Sequence, residues 1–143
     1  MKISLLKSFV FLSIVAFCSC SKSNTTPSDP VAPNAIVGLW IGSQIPNDGS
    51  TTVPLYYSFE IKSDSTLLVQ GQGADGNTYY SVGKWSLTGT AFTATITVTN
   101  LSVAGAKQNI TATYNSTSGK LTSGIVQTIG VNYTAGFALD RVN

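Results

Sequence analysis

Between Phe92 and Thr99 the chain reads Phe-Thr-Ala-Thr-Ile-Thr-Val-Thr, an unbroken alternation of apolar and hydroxyl side chains. Successive side chains of an extended strand point to opposite faces, so this period describes a strand with one dry face and one wet face. The same rhythm returns along the chain. Val53, Leu55, Tyr57, Phe59 and Ile61 share one face, with Ser58, Glu60 and Lys62 on the other. Tyr79, Ser81, Gly83, Trp85 and Leu87 form a further inward set, as do Ile110, Ala112 and Tyr114. In the last segment Tyr133, Ala135, Phe137, Leu139 and Arg141 fall on one side. No helical period appears after Ile36, and Thr, Val, Ile and Tyr, which favour strands, abound.

Turn chemistry cuts this region at Asn47-Asp48-Gly49, Ser63-Asp64-Ser65, Asp75-Gly76-Asn77, Thr88-Gly89-Thr90, Ala104-Gly105, Ser118-Gly119 and Gly130-Val131-Asn132. Seven turns delimit eight segments, and short connections make neighbours antiparallel. The expected fold is all-β, with eight antiparallel strands in order. Periodicity alone allows either a closed barrel, which has no exposed edges, or a two-sheet sandwich.

The N-terminal segment must be set aside before the fold is read. Lys2 and Lys7 precede an apolar run from Phe9 to Phe17, too short for the roughly 20 residues that span a bilayer. Phe17-Cys18-Ser19-Cys20 then resembles the lipobox of bacterial lipoproteins, in which an apolar residue and two small ones precede an invariant Cys. Phe17 stands where Leu is usual. The resemblance implies a signal peptide over residues 1–19, cleavage between Ser19 and Cys20, and a Cys20 that carries the lipid anchor. The alternative is an ordinary secretory signal that leaves Cys20 as a free thiol. Cys18 and Cys20 are the only cysteines, so cleavage leaves one and no internal disulfide can form. Ser21 follows Cys20 in place of the Asp that marks inner-membrane retention in some bacteria, so the resemblance implies the outer membrane, with the leaflet open.

Residues 21–34 contain three prolines and no apolar period, which describes a tether reaching at most about 45 Å. With Cys20 it forms a linker over 20–34, and 35–143 is long enough for one domain. Beyond the signal the chain holds six basic and six acidic residues, and no basic cluster that could neutralise phosphates. Nucleic acid is therefore excluded as a partner.

Gly38-Leu39-Trp40 resembles the Gly-x-Trp that opens lipocalins and related calycin barrels. In those families the Trp lies at the closed end, covered by an Arg or Lys of the last strand. Arg141, the only Arg here, stands in that position. The stretch from Gly83 to Ile96 is likewise similar to lipocalin-like lipoproteins of Gram-negative bacteria. The resemblance selects an up-and-down barrel in which Gly38, Trp40 and Arg141 close one end. The lipocalin helix before the last strand is missing, so shorter streptavidin-like or fatty-acid-binding-like barrels are nearer in form.

Catalysis is poorly supplied. The chain has no His, the commonest general base and metal ligand, and Asp48, Asp64 and Asp75 sit where turns require Asp. No enzyme, metal or cofactor is expected. The five Asn-x-Ser/Thr triplets are what a Thr-rich chain contains by chance, and Asp64-Ser65-Thr66 reads as a turn rather than a glycosylation site. Ligand binding and protein interaction are left. The inward set mixes large residues (Tyr57, Phe59, Trp85, Phe92, Tyr114, Tyr133, Phe137) with small ones (Ser81, Gly83, Ala94, Ala112, Ser123, Ala135). An eight-stranded barrel can hold one small ligand, or its large side chains can fill the space left by the small ones. In the first case Tyr57, Trp85, Tyr114 and Phe137 are the candidate contacts for a small apolar or amphipathic ligand. In the second the domain is an interaction module or protease inhibitor, with Leu101–Ala104 and Ile125–Val131 as exposed apolar candidates. Composition leaves the oligomeric state open.

Overall fold

The alternating segments become eight strands in a computed structural model that describes residues 35–143. They are β1 (Gly38–Pro46), β2 (Leu55–Ile61), β3 (Thr66–Gln72), β4 (Thr78–Thr88), β5 (Ala91–Val98), β6 (Lys107–Asn115), β7 (Lys120–Thr128) and β8 (Tyr133–Arg141). Each pairs antiparallel with the next, and β1 pairs with β8, so the sheet closes as an up-and-down barrel. The sandwich alternative is thereby excluded. The signal peptide, Ser19, Cys20 and the linker lie outside the described residues.

All seven turn clusters fall at the strand connections, with Thr88 closing β4. Three use Asp alike: Asp48 Oδ1 accepts from the Ser50 N–H (2.9 Å), Asp64 Oδ1 from Thr66 (2.8 Å) and Asp75 Oδ1 from Asn77 (3.0 Å). Hydrogen bonds from those same residues hold all three carboxyls below the ordinary carboxylate value.

The period-two reading holds closely on β5 and β6, where buried and exposed residues alternate from Phe92 to Ile96 and from Lys107 to Asn115. Three positions depart from it. Val53, expected inward, precedes β2 and is exposed, because the chain between β1 and β2 is still loop there. Ser58 is on the outward face of β2 yet nearly buried, flanked in register by Ile41 and Gln70. Ser123, expected inward, is exposed instead. A bulge between Leu121 and Gly124 adds a residue to β7, Ser123 takes φ +51°, and the inward phase passes from Leu121 to Gly124 and Val126.

Apolar side chains fill the middle of the barrel. Tyr57, Phe59 and Phe137 meet edge to face with ring centroids 5.1–5.4 Å apart. Phe59 stacks on Phe92 at 6.0 Å, and Phe92 on Trp85 at 6.2 Å. Such pairs contribute about 0.5–1.5 kcal/mol each beyond the area they bury. The outer wall of β5 and β6 carries Thr93, Thr95, Asn109, Thr111 and Thr113. Other strands differ: the outward face of β1 exposes Leu39, Ile41 and Ile45.

Candidate functional site

The two ends of the barrel differ. One is shut by the chain entering it. Ile36 is fully buried there, its carbonyl accepts from Trp40 Nε1 (2.8 Å), and the Ala35 carbonyl accepts from the Tyr114 hydroxyl (3.1 Å). Trp40 meets Tyr114 edge to face at 5.8 Å. Trp40 and Arg141 are partners in the β1–β8 ladder, and Arg141 Nη2 donates to the Val37 carbonyl at 2.9 Å. Gly38 takes φ +141°, a backbone conformation that other residues rarely adopt, and the guanidinium of Arg141 packs beside it. Thus Gly38, Trp40 and Arg141 converge at one end, and what Arg141 grips there is the carbonyl of Val37.

The opposite end is open. It is bounded by the loops after β1, β3, β5 and β7, and below them lies a cavity of about 300 Å³ lined by Tyr79, Val98, Val103, Ala106, Gln108, Thr128, Val131 and Tyr133. A wider hollow of about 550 Å³ adjoins it, sharing Tyr79, Val103 and Tyr133 and reaching Asp48 and Asp75 on the rim. The cavity is near the lower size limit for a small-molecule site, and its lining, mainly apolar with a few polar groups, is of the usual kind.

Polar side chains on the inward face of this half are the distinctive feature. Gln44 Nε2 donates to the Tyr79 hydroxyl (2.6 Å) and to the Gln72 carbonyl (3.1 Å), and Gln108 Nε2 donates to Thr128 Oγ1 (3.1 Å). Four buried atoms have no partner within the protein: Gln44 Oε1, Gln108 Oε1, the Tyr57 hydroxyl and Ser81 Oγ. An unsatisfied buried polar group costs about 1–3 kcal/mol, so four in one region of a small barrel call for an explanation. Burial pushes the Tyr57 and Tyr79 phenols well above their ordinary value, and each is raised further by the nearby Tyr133. Burial also raises Tyr133, with a smaller contribution from Asp48. Among the described residues no charged side chain is buried.

Of the four contacts expected from the sequence, only Tyr57 presents a free polar atom in this half, beneath Tyr79 and Tyr133. Phe137 packs against Tyr57 and Phe59. Trp85 donates to the Lys62 carbonyl (2.9 Å) and stacks on Phe92, and Tyr114 belongs to the closed end. None of Tyr57, Trp85, Tyr114 and Phe137 lines the cavity. Gln44 and Gln108 did not emerge from the sequence as site residues, although each lies in phase with an inward aromatic or aliphatic residue, Trp40 and Ile110. A Gln on a dry face was the available signal.

No protein-family model matches the sequence, and no curated protein is detectably similar to it. The closed eight-stranded barrel is compatible with the calycin-like architecture, and the likeness stops at the fold.

Proposed function

We propose that this chain is a lipid-anchored protein of the cell envelope whose barrel binds a small apolar or amphipathic molecule in its open mouth without catalysing a reaction on it. One observation carries the binding reading: a mainly apolar cavity of about 300 Å³ lies at the open mouth, with Tyr79, Gln108, Thr128 and Tyr133 as its few polar groups. The non-catalytic reading is supported by the chain's lack of His and by the turn bonds that occupy Asp48, Asp64 and Asp75.

The anchor rests on the order of charge, apolar run, small residue and Cys20. An outer-membrane position rests on Ser21 alone. Residue 35 enters at the closed end, so the tether would join the barrel on the side opposite the mouth. Native mass spectrometry of the protein purified from its own host tests both parts. The proposal expects an acylated N-terminal Cys20 and a small molecule retained by the barrel. Repeated isolation without any bound molecule would count against the ligand, and an unmodified Cys20 against the anchor.

A second reading, a protein-interaction or inhibitor role, is favoured by the exposed Leu101, Val103, Ile129 and Val131 on the mouth loops. It predicts a stoichiometric protein partner in membrane pull-downs, lost on Val103→Asp with Val131→Asp.

A further inference from the structure

We infer that the half of the mouth rim formed by the loops after β5 and β7 docks on the phospholipid membrane that holds Cys20, so that the cavity opens into lipid. This rests on the binding and anchor readings above and adds where the ligand is taken up.

The rim is divided by chemistry. The loops after β1 and β3 carry the acids Asp48 and Asp75, beside the wider hollow. The loops after β5 and β7 are neighbours in the ring of strands, and over residues 99–106 and 129–132 they carry no charge. They expose Leu101, Val103, Ile129 and Val131 instead, each about half accessible. Leu101 holds φ +63°, a region that costs a residue with a side chain about 1–2 kcal/mol. Strain of this kind collects at functional loops, and here it accompanies an exposed leucine.

Polar groups border this apolar half in the order that a bilayer surface requires. Tyr80 is half exposed on the outer wall of β4, its N–H donating to Asn100 Oδ1 (2.7 Å) and its carbonyl accepting from the Thr99 N–H (2.8 Å). Lys107 is exposed at the start of β6. A phenol sits well at the headgroup level, and an ammonium on a long stem reaches phosphate there. The cation thus lies on the docking half and both acids on the other.

The occupant follows from position. Val103 and Val131 belong both to the rim and to the cavity lining, so whatever seats on these loops covers the cavity's opening. A bilayer is the phase that dissolves an apolar or amphipathic ligand, and a cavity seated on it exchanges that ligand without exposing apolar surface to water. Reach allows the contact. A nine-residue strand is at most about 30 Å long and the linker reaches at most about 45 Å, so the mouth can turn back to the membrane although the tether joins the opposite end.

Nitroxide labels test the inference. The full protein from its own host is reconstituted in vesicles of phosphatidylethanolamine and phosphatidylglycerol, with one label at Ser102→Cys on the rim or at Thr117→Cys on the closed-end turn after β6, both exposed positions. The Ser102 label should lose access to a water-soluble nickel relaxant and gain access to oxygen, which concentrates in lipid, while the Thr117 label keeps its access to nickel. Ile129→Asp, outside the cavity lining, should restore nickel access at Ser102 and leave ligand retention in native mass spectrometry unchanged. Undiminished nickel access at Ser102, entry of the Thr117 label instead, or protection unaffected by Ile129→Asp would overturn the docking. Protection of Ser102 from nickel and oxygen alike would mark a protein contact, here a second copy, and would overturn it too. In each of those cases a molecule retained in native mass spectrometry shows that the binding reading survives, and the mass of Cys20 in the same sample reads the anchor separately.

Discussion

The phenol ring of Tyr79 lies across Gly71, its partner on β3: a Cβ built on Gly71 would fall 2.2 Å from Tyr79 Cζ and 2.3 Å from its hydroxyl oxygen. The bare backbone of Gly71 is what lets Tyr79 fold inward, present its edge to the mouth and accept from Gln44. Gly71→Ala should therefore expel the ring and break that hydrogen bond. We expect a stability loss of about 1 kcal/mol, since the ring is near the rim and can move, together with loss of ligand affinity. Urea denaturation and ligand titration of the same variant check both.

Gly124 holds a similar position under Phe137, where an added Cβ would fall 2.5 Å from three ring atoms, but deeper in the barrel. Phe137 is pinned between Tyr57 and Phe59 and has nowhere to go. Gly124→Ala should cost about 3 kcal/mol, more than Gly71→Ala, because overpacking cannot be relieved by moving one side chain. A smaller urea-midpoint shift for Gly124→Ala than for Gly71→Ala would refute this ordering.

Ser123 carries the cost of the β7 bulge by adopting φ +51°. A non-glycine residue in this region is disfavoured by about 1–2 kcal/mol, against about 0.5–1 kcal/mol of extra chain entropy lost by glycine. Ser123→Gly should accordingly stabilise by about 0.5 kcal/mol, and the β-branched Ser123→Val should destabilise. Thermal unfolding of the pair gives the two signs.

Much of the barrel was legible because its physics is local. Phe92–Thr99 alternates without a break, and Asn-Asp-Gly or Asp-Gly-Asn clusters admit few backbone conformations, so strands and turns follow from neighbours in sequence. The bulge at Ser123 was not legible, because an added residue is tolerated or not according to the strands on either side. The site was half legible. Tyr57, Tyr79, Tyr133 and Ser81 fall in the inward phase, yet phase does not say at which height along the barrel a residue sits. Trp85 and Tyr114 share that phase and lie away from the mouth. Which pair of glutamines turns inward depends on register, set by the whole ring of strands.

Alkaline pH should unfold the protein through its buried phenols. Tyr57 and Tyr79 are raised by burial above the ordinary value of 10.0, so they stay neutral in the fold while their unfolded counterparts ionise. The unfolded state then binds fewer protons, and stability, intact below about pH 10, declines as pH rises through and beyond it. Urea midpoints measured from about pH 8 to about 11.5 should be flat and then fall, with a shallower fall in Tyr79→Phe. An unchanged slope in that variant would remove Tyr79 from the account.

The direct pairing of β1 with β8 also governs when this barrel can form. The bond from Arg141 to Val37 spans 104 residues, among the longest loops the chain can close, and loop closure of this kind slows folding. Until the last strand docks, β1 and β7 each present a row of unpaired amides and carbonyls, a template for wrong pairing with other chains. A nascent chain that has not yet made Tyr133–Arg141 therefore cannot complete its fold, however well its earlier hairpins have formed. Folding waits for the final nine residues of the ladder, and a product shortened there would leave both edges open to aggregation.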